Sequence, residues 1–128
     1  MTQKHAVSPT TAPAPYGGGH YSPGIVCGDF VFTSGQGPIV PGTGEVAHGS
    51  IAEQTQLTID NLDAVLTAAG SGLDRIVKAT VFLADLADWQ VVNAVWAERI
   101  GGLPPARTAV QATLLAGMGV EIDVIALA

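Results

Sequence analysis

The chain is poor in cysteine and in basic residues, and each scarcity closes off a class of function. One cysteine, Cys27, permits no intrachain disulfide. The fold must therefore rest on a packed core, and the lack of a disulfide framework fits a cytoplasmic, reducing location. Cys27 itself reads as a small buried hydrophobe at the start of a strand. The five basic residues, Lys4, Arg75, Lys78, Arg99 and Arg107, are scattered among eleven acidic ones, for a formal charge of -6. A surface that tracks phosphates needs clustered Lys and Arg, so nucleic acid is not an expected partner. No apolar run approaches the ~18 residues of a membrane span. The N-terminus lacks the basic region and hydrophobic stretch of a signal peptide. No membrane partner is expected.

Metal and nucleophile motifs are missing too. His5, His20 and His48 lie in tail and loop segments, with no His-x-x-x-His and no clustered carboxylates. That pattern excludes the usual metal ligand sets. Nothing resembles a nucleophile elbow or a glycine-rich phosphate loop.

What is present is apolar. Hydrophobic residues make up 48% of 128 and charged residues only 12%, with a mean hydropathy of +0.38. This length suits one domain. An isolated monomer of this size would carry more surface charge, so part of the apolar content is expected between subunits.

Residues 1–15, rich in Pro, Thr, Ser and Ala, read as a flexible or loosely docked tail before a single domain over 16–128. Phe30 to Ser34 is β-branched and aromatic, a strand interrupted by Gly35-Gln36-Gly37-Pro38. Ile39-Val40 is a short strand entering the turn Pro41 to Gly44. Ser50-Ile51-Ala52-Glu53 has capping-box spacing, and Ile51, Thr55, Thr58, Leu62, Val65 and Ala69 follow at helical spacing. Gly70 is placed to stop that helix. Ile76 to Ala84 reads as a strand with Val77, Ala79, Val81 and Leu83 on one face. Asp88 is placed to cap a second helix, with Trp89, Val92, Trp96 and Ile100 as its buried stripe. Gly101-Gly102 ends it, and Pro104-Pro105 forbids its continuation. Two strands close the chain, Arg107 to Ala112 and Val120 to Leu127.

Alternation groups Arg107, Ala109 and Gln111 on one side of their strand, and in the last strand sets Glu121 and Asp123 opposite the apolar Val120, Ile122, Val124 and Ala126. The expectation is an α/β arrangement in which two helices cover the apolar face. The opposite face would carry Arg107, Gln111, Glu121 and Asp123. A guanidinium presents paired donors that match a carboxylate. Arg107 is therefore either a ligand anchor or the ion-pair partner of Glu121 or Asp123. Glu121 is the natural general base, and Asp123 can raise its pKa by like-charge repulsion, unless it is an outlying solvated residue. Thr33-Ser34-Gly35-Gln36 is either a turn or a place where backbone N–H groups approach a ligand. Asn93, near Trp89 and Trp96, needs hydrogen-bond partners, whether a loop carbonyl or something else.

In order along the chain stand Tyr21-Ser22, Thr33-Ser34-Gly35-Gln36, Gly42 to Val46, Val81 to Leu86, Val92-Asn93-Ala94, Pro105-Ala106-Arg107-Thr108 and Val120-Glu121-Ile122. This ordered set resembles the RidA (YjgF) family of imine deaminases, from about residue 20 to residue 127. The resemblance implies a chorismate-mutase-like α+β fold, a mixed sheet backed by two helices. It also implies a homotrimer with a central β-barrel and ligand clefts between neighbours. The implied activity is deamination of enamines and 2-imino acids such as 2-aminoacrylate to 2-keto acids and ammonia, without a cofactor. Carried over by position, Arg107 would hold the substrate carboxylate and Glu121 would orient or activate water. Tyr21, Ser34, Gly35, Asn93 and the backbone at Ala109 would line the cleft.

The sequence departs from the family pattern in places. His20 precedes Tyr21 where the family usually has Pro, Gly17 to Gly19 is unusual, Ala109 stands where many members carry Cys, and Trp96 replaces Tyr. The loop before Arg107 is short. These positions bear on substrate preference. Two other readings keep the same anchor: a regulatory trimer that binds small carboxylates without turnover, or a divergent member acting on another small substrate. A ribonuclease, a label the family has attracted, is disfavoured by the acidic charge.

Overall fold

The computed structural model describes residues 3–128. Its elements run β1 (Lys4–Val7), β2 (Gly24–Cys27), β3 (Phe30–Thr33), α1 (Ile51–Ala68), β4 (Ile76–Leu83), α2 (Trp89–Ile100), β5 (Ala106–Gln111) and β6 (Val120–Leu127). All six strands form one mixed sheet in the order β1-β2-β3-β6-β4-β5. Only β4 and β5 pair in parallel, because α2 carries the chain back between them. The last strand, β6, slots between β3 and β4, antiparallel to both. No described helix is long and apolar enough to cross a membrane.

α1 forms where its end signals stand. Ser50 Oγ accepts from the Glu53 N–H at 3.1 Å and donates to Glu53 Oε1 at 3.0 Å. At the other end Gly70 takes φ +80°. There the Ser71 N–H donates to the Leu66 carbonyl at 2.8 Å and the Gly70 N–H to that of Thr67 at 3.0 Å. That pair of bonds is a Schellman motif, which a glycine makes without steric cost. α2 ends at Gly101, also at positive φ (+56°), whose N–H donates to the Ala97 carbonyl at 3.2 Å. Its expected cap is corrected: the Asp88 side chain makes no capping bond, and Asp85 instead caps the turn before it.

The two helices cover one face of the sheet. Ile59, Leu62 and Leu66 of α1 and Val92, Val95 and Trp96 of α2 pack on Val31, Ala79, Val81, Leu83, Val120, Ile122 and Val124. The other face is open, with Phe30, Phe32 and Val110 each about two-fifths exposed (40%, 42% and 39%).

Three expectations are corrected. Residues 4–7, read as part of a flexible or loosely docked tail, form an edge strand paired with β2, and Ala12 beyond them is buried. Val77 is exposed rather than part of the inward face of β4. A bulge between Ile76 and Lys78 turns Ile76 inward in its place, as an extra residue in one strand must. The third concerns Arg107. β5 pairs with β4 so that Arg107 lies beside Ala79 and Ala109 beside Val81. Glu121 lies beside Phe82 and Asp123 beside Thr80. Residues paired in register share a face, so Arg107, Ala109 and Gln111 lie on the side of the sheet that carries the helices. Glu121 and Asp123 lie on the open face, away from Arg107.

Candidate active site

The chemistry-bearing residues fall into two groups, one on each face of the sheet. Arg107 comes from β5, which runs along the sheet edge where α2 only partly covers it. Its Nη2 donates to Asn93 Oδ1 on α2 at 2.8 Å. The guanidinium carbon lies 5.5 Å from the Trp89 ring centroid and 6.0 Å from that of Trp96. At such distances the negative ring faces attract the cation. Among the described residues the one ion pair joins Arg99 to Asp60, at 2.7 Å. The alternative of an Arg107 ion pair with Glu121 or Asp123 is thereby overturned within the chain. Arg107 holds a full charge between two indoles and an amide, with no anion of its own.

Beside it opens a cleft of about 590 Å³, with Asn93 and Arg107 in its wall and Trp96, Ile100, Pro104 and Pro105 among its apolar lining. Ala109 lies on the inner side of the same helix–sheet junction, next to Trp89 and Arg107.

The second group gathers around Glu121. Past the end of β3 the chain crosses beneath this carboxylate, and a Cβ on Gly35 would stand 2.5 Å from Glu121 Oε2. Only a residue without a side chain lets the carboxylate lie there. The crossing is fixed on both sides. Gln36 and Ile122 exchange backbone hydrogen bonds of 2.8 and 2.9 Å. Buried Asn61 donates to the Gly37 and Ile39 carbonyls, each at 2.9 Å. Ser34 Oγ donates to the Ser22 carbonyl at 2.7 Å, which ties Ser34 to the segment carrying Tyr21. The Tyr21 hydroxyl in turn accepts from the Tyr16 N–H at 2.8 Å.

Burial raises the Glu121 pKa above the ordinary carboxylate range, and the charge of Asp123 raises it further. Asp123 is itself raised by burial, against the opposing pull of Lys78. Asp123 is therefore no outlying solvated residue, and it does act on Glu121 by like-charge repulsion.

The structure thus brings together Arg107, Asn93 and Ala109 on one side, and Ser34, Gly35 and Glu121, with Tyr21 tied to them, on the other. The indoles are what the sequence reading missed as site residues. Trp89 and Trp96 read as core stripe, yet with Asn93 they recur at helical spacing along one face of α2, and that face looks onto Arg107.

A mixed sheet backed by two helices, with an arginine lacking an ion-pair partner among the described residues at its edge and a carboxylate seated on a glycine, makes a small α+β domain. The family model described as Endoribonuclease L-PSP matches residues 11–128, and the chain belongs to that family. It is 41% identical over 124 residues to a RutC family protein of Pyrococcus horikoshii, covering 96% of this chain and 97% of that one. It is 37% identical over 125 residues to the chloroplastic Reactive Intermediate Deaminase A of Arabidopsis thaliana, covering 97% of this chain and 66% of that protein. Among solved structures, RidA from an Antarctic Psychrobacter superposes with a TM-score of 0.91 at 35% identity, over 97% of this chain and 99% of that one. E. coli TdcF with bound serine superposes with a TM-score of 0.89 at 34% identity, over 97% of this chain and 98% of that one.

Proposed function

We propose that the protein hydrolyses reactive enamines and 2-imino acids of the 2-aminoacrylate type to 2-keto acids and ammonia. Arg107 anchors the carboxylate and Glu121 handles the water. The observation that carries this reading is Arg107 itself, a fixed cation without an anionic partner in the wall of an open cleft.

An imine is already electrophilic, so orientation and proton transfer are the whole task. Water adds to C2, its oxygen forming the new C–O bond while the C=N electron pair moves to nitrogen. Glu121 takes the proton from the water and returns it to nitrogen. The hydroxyl proton of the resulting carbinolamine then passes to nitrogen through the same carboxylate, the C–N bond breaks with its electron pair leaving on ammonia, and the O–H electron pair becomes the second bond of the carbonyl. A carboxylate with a raised pKa serves both halves of that exchange nearer neutral pH than an ordinary one. Tyr21, Ser34, Gly35 and the Ala109 backbone line the reacting centre.

Since Arg107 and Glu121 lie on opposite faces of one sheet, a working site needs Arg107 from one subunit and Glu121 from another. A homotrimer that packs its open faces into a central barrel meets this need. Exposed Phe30, Phe32 and Val110 support it, because a soluble chain seldom leaves such an apolar face bare.

Addition of the protein to a dehydratase that releases 2-aminoacrylate is expected to accelerate keto-acid and ammonia formation, and Arg107→Ala to abolish the effect. No acceleration over spontaneous hydrolysis across several imino acids overturns the proposal. Binding without turnover is a second reading, favoured by the serine found in TdcF. Tight carboxylate binding that disappears in Arg107→Ala, with hydrolysis unchanged, would select it.

A further inference from the structure

Tyr21 is 44% exposed, yet the chain before it is shaped to hold it. A single turn of 3-10 helix, Tyr16–Gly18, leads into it. Gly17 and Gly18 take φ +62° and +74° and fold the chain back, so that the Tyr16 N–H donates to the Tyr21 hydroxyl at 2.8 Å. The ring lies against Gly19, where a Cβ would meet Tyr21 Cε2 at 2.6 Å and Cδ2 at 3.0 Å. The Tyr21 N–H donates to the Gly19 carbonyl at 3.1 Å, and the next residue, Ser22, is tied through its carbonyl to Ser34. Main chain, ring and hydroxyl are each fixed from a different side.

The direction of the Tyr16 bond decides what the hydroxyl can do. A phenol carries one O–H donor and two acceptor sites. The Tyr16 N–H takes an acceptor site, so the hydroxyl keeps its own proton for a further partner. A donor already in place spares the ordering cost that a loose side chain incurs when a ligand arrives. The run of three glycines therefore divides its work: two reverse the chain, and the third makes room for the ring.

We propose that Tyr16, through its backbone N–H, and Gly19 are positioning residues that aim the Tyr21 hydroxyl as a hydrogen-bond donor to the bound imino or keto acid. The proposal rests on the reading of Tyr21 as part of the reacting centre.

The test removes the N–H alone. Tyr16→Pro does so in a backbone already suited to it. Pro15 has ψ 127°, where a residue before proline sits, and the first helical position accepts proline. Tyr16→Ala is the reference, since it loses the same ring and keeps the N–H. Pyruvate affinity, read by calorimetry, is expected to fall roughly fivefold from the alanine to the proline variant, the scale of one neutral hydrogen bond. In a Tyr21→Phe background the same two variants are expected to differ by less than about twofold, because the N–H acts only through the hydroxyl. Imine turnover is expected to show the loss in KM with kcat kept, as for a contact made equally before and at the transition state.

Tyr16 and Tyr21 are the chain's two tyrosines, so fluorotyrosine in either Tyr16 variant reports Tyr21 alone. Its fluorine resonance is expected to lie away from that of the free amino acid in Tyr16→Ala and close to it in Tyr16→Pro. Should Tyr16→Pro fail to fold, Gly19→Ala decides the matter. Gly19 sits at φ -55° and ψ 145°, a backbone that alanine adopts freely, and the new Cβ displaces the ring. Its loss of pyruvate affinity is expected to vanish in Tyr21→Phe. An alanine–proline difference that persists in Tyr21→Phe overturns the proposal. If Tyr21→Phe weakens binding but the two Tyr16 variants bind alike, the positioning role fails and Tyr21 keeps its place in the reacting centre. If Tyr21→Phe binds as the wild type does, or the wild type binds no pyruvate, the proposal falls together with the reading beneath it.

Discussion

Arg107 and Glu121 project from opposite faces of one sheet, the first beside Ala79 under α2 and the second beside Phe82 on the open side. If one site uses both, mixed oligomers reveal it. Arg107→Ala and Glu121→Gln are each expected to be inactive alone. Co-refolded in equal amounts, they should recover about one quarter of wild-type turnover, because random assembly pairs an intact Arg107 with a neighbour's intact Glu121 at that frequency. Ammonia release from the mixture measures this, and no recovery would mean that the two residues do not share a site.

Gly35 sets where the Glu121 carboxylate lies. Gly35→Ala is expected to push it aside, since the new Cβ would meet Oε2 at 2.5 Å. A misplacement of this order costs roughly 100-fold in kcat. The stability loss should be only about 1–3 kcal/mol, the usual range for overpacking. Steady-state kinetics beside a denaturant melt separates the two effects.

Raised carboxylate pKa values give stability a definite pH slope. Glu121 and Asp123 are both raised in the folded chain. Their contribution is therefore full below the ordinary carboxylate range and is lost as pH rises through the folded values. Glu121→Gln is expected to flatten this decline above about pH 4.3, the unfolded reference for Glu. Urea melts across mildly acidic to neutral pH test it, and a decline equally steep in the variant would count against it. For the proposed hydrolysis by the wild-type protein, the acid limb of kcat/KM is expected to lie above the ordinary Glu value.

Arg107→Lys is not a conservative change. An ammonium cannot keep the planar contacts to both indoles while presenting a paired fork to a carboxylate. A loss of roughly 100-fold in kcat/KM is expected, mostly through KM, because hydrogen bonds to charged groups contribute about 1.5–3 kcal/mol. Asn93→Ala, which removes the 2.8 Å bond that aims the guanidinium, should cost roughly tenfold on the same physical ground. Loss confined to kcat, with KM unchanged, would argue against an anchoring role.

Much of the fold was legible because local chemistry wrote it. Ser50, Glu53 and Gly70 mark both ends of α1, and Gly101 with Pro104-Pro105 ends α2. β1 and β2 were not legible. Each is four residues long, and their strand character comes from pairing rather than from alternation. The most instructive error concerns Arg107. Alternation correctly grouped it with Ala109 and Gln111, since parity is a local property of a strand. Which face that group occupies depends on the parallel pairing with β4 across α2, a tertiary fact. The site was legible as residue types, therefore, and not as a three-dimensional division.

The bulge in β4 carries a consequence of another kind. Val77 is the one residue by which the strand outruns its partner, and without it Ile76, Lys78 and Ala79 would alternate in, out, in as a regular strand does. Ile76 and Ala79, three residues apart, thereby both face the helices, which unbroken alternation forbids.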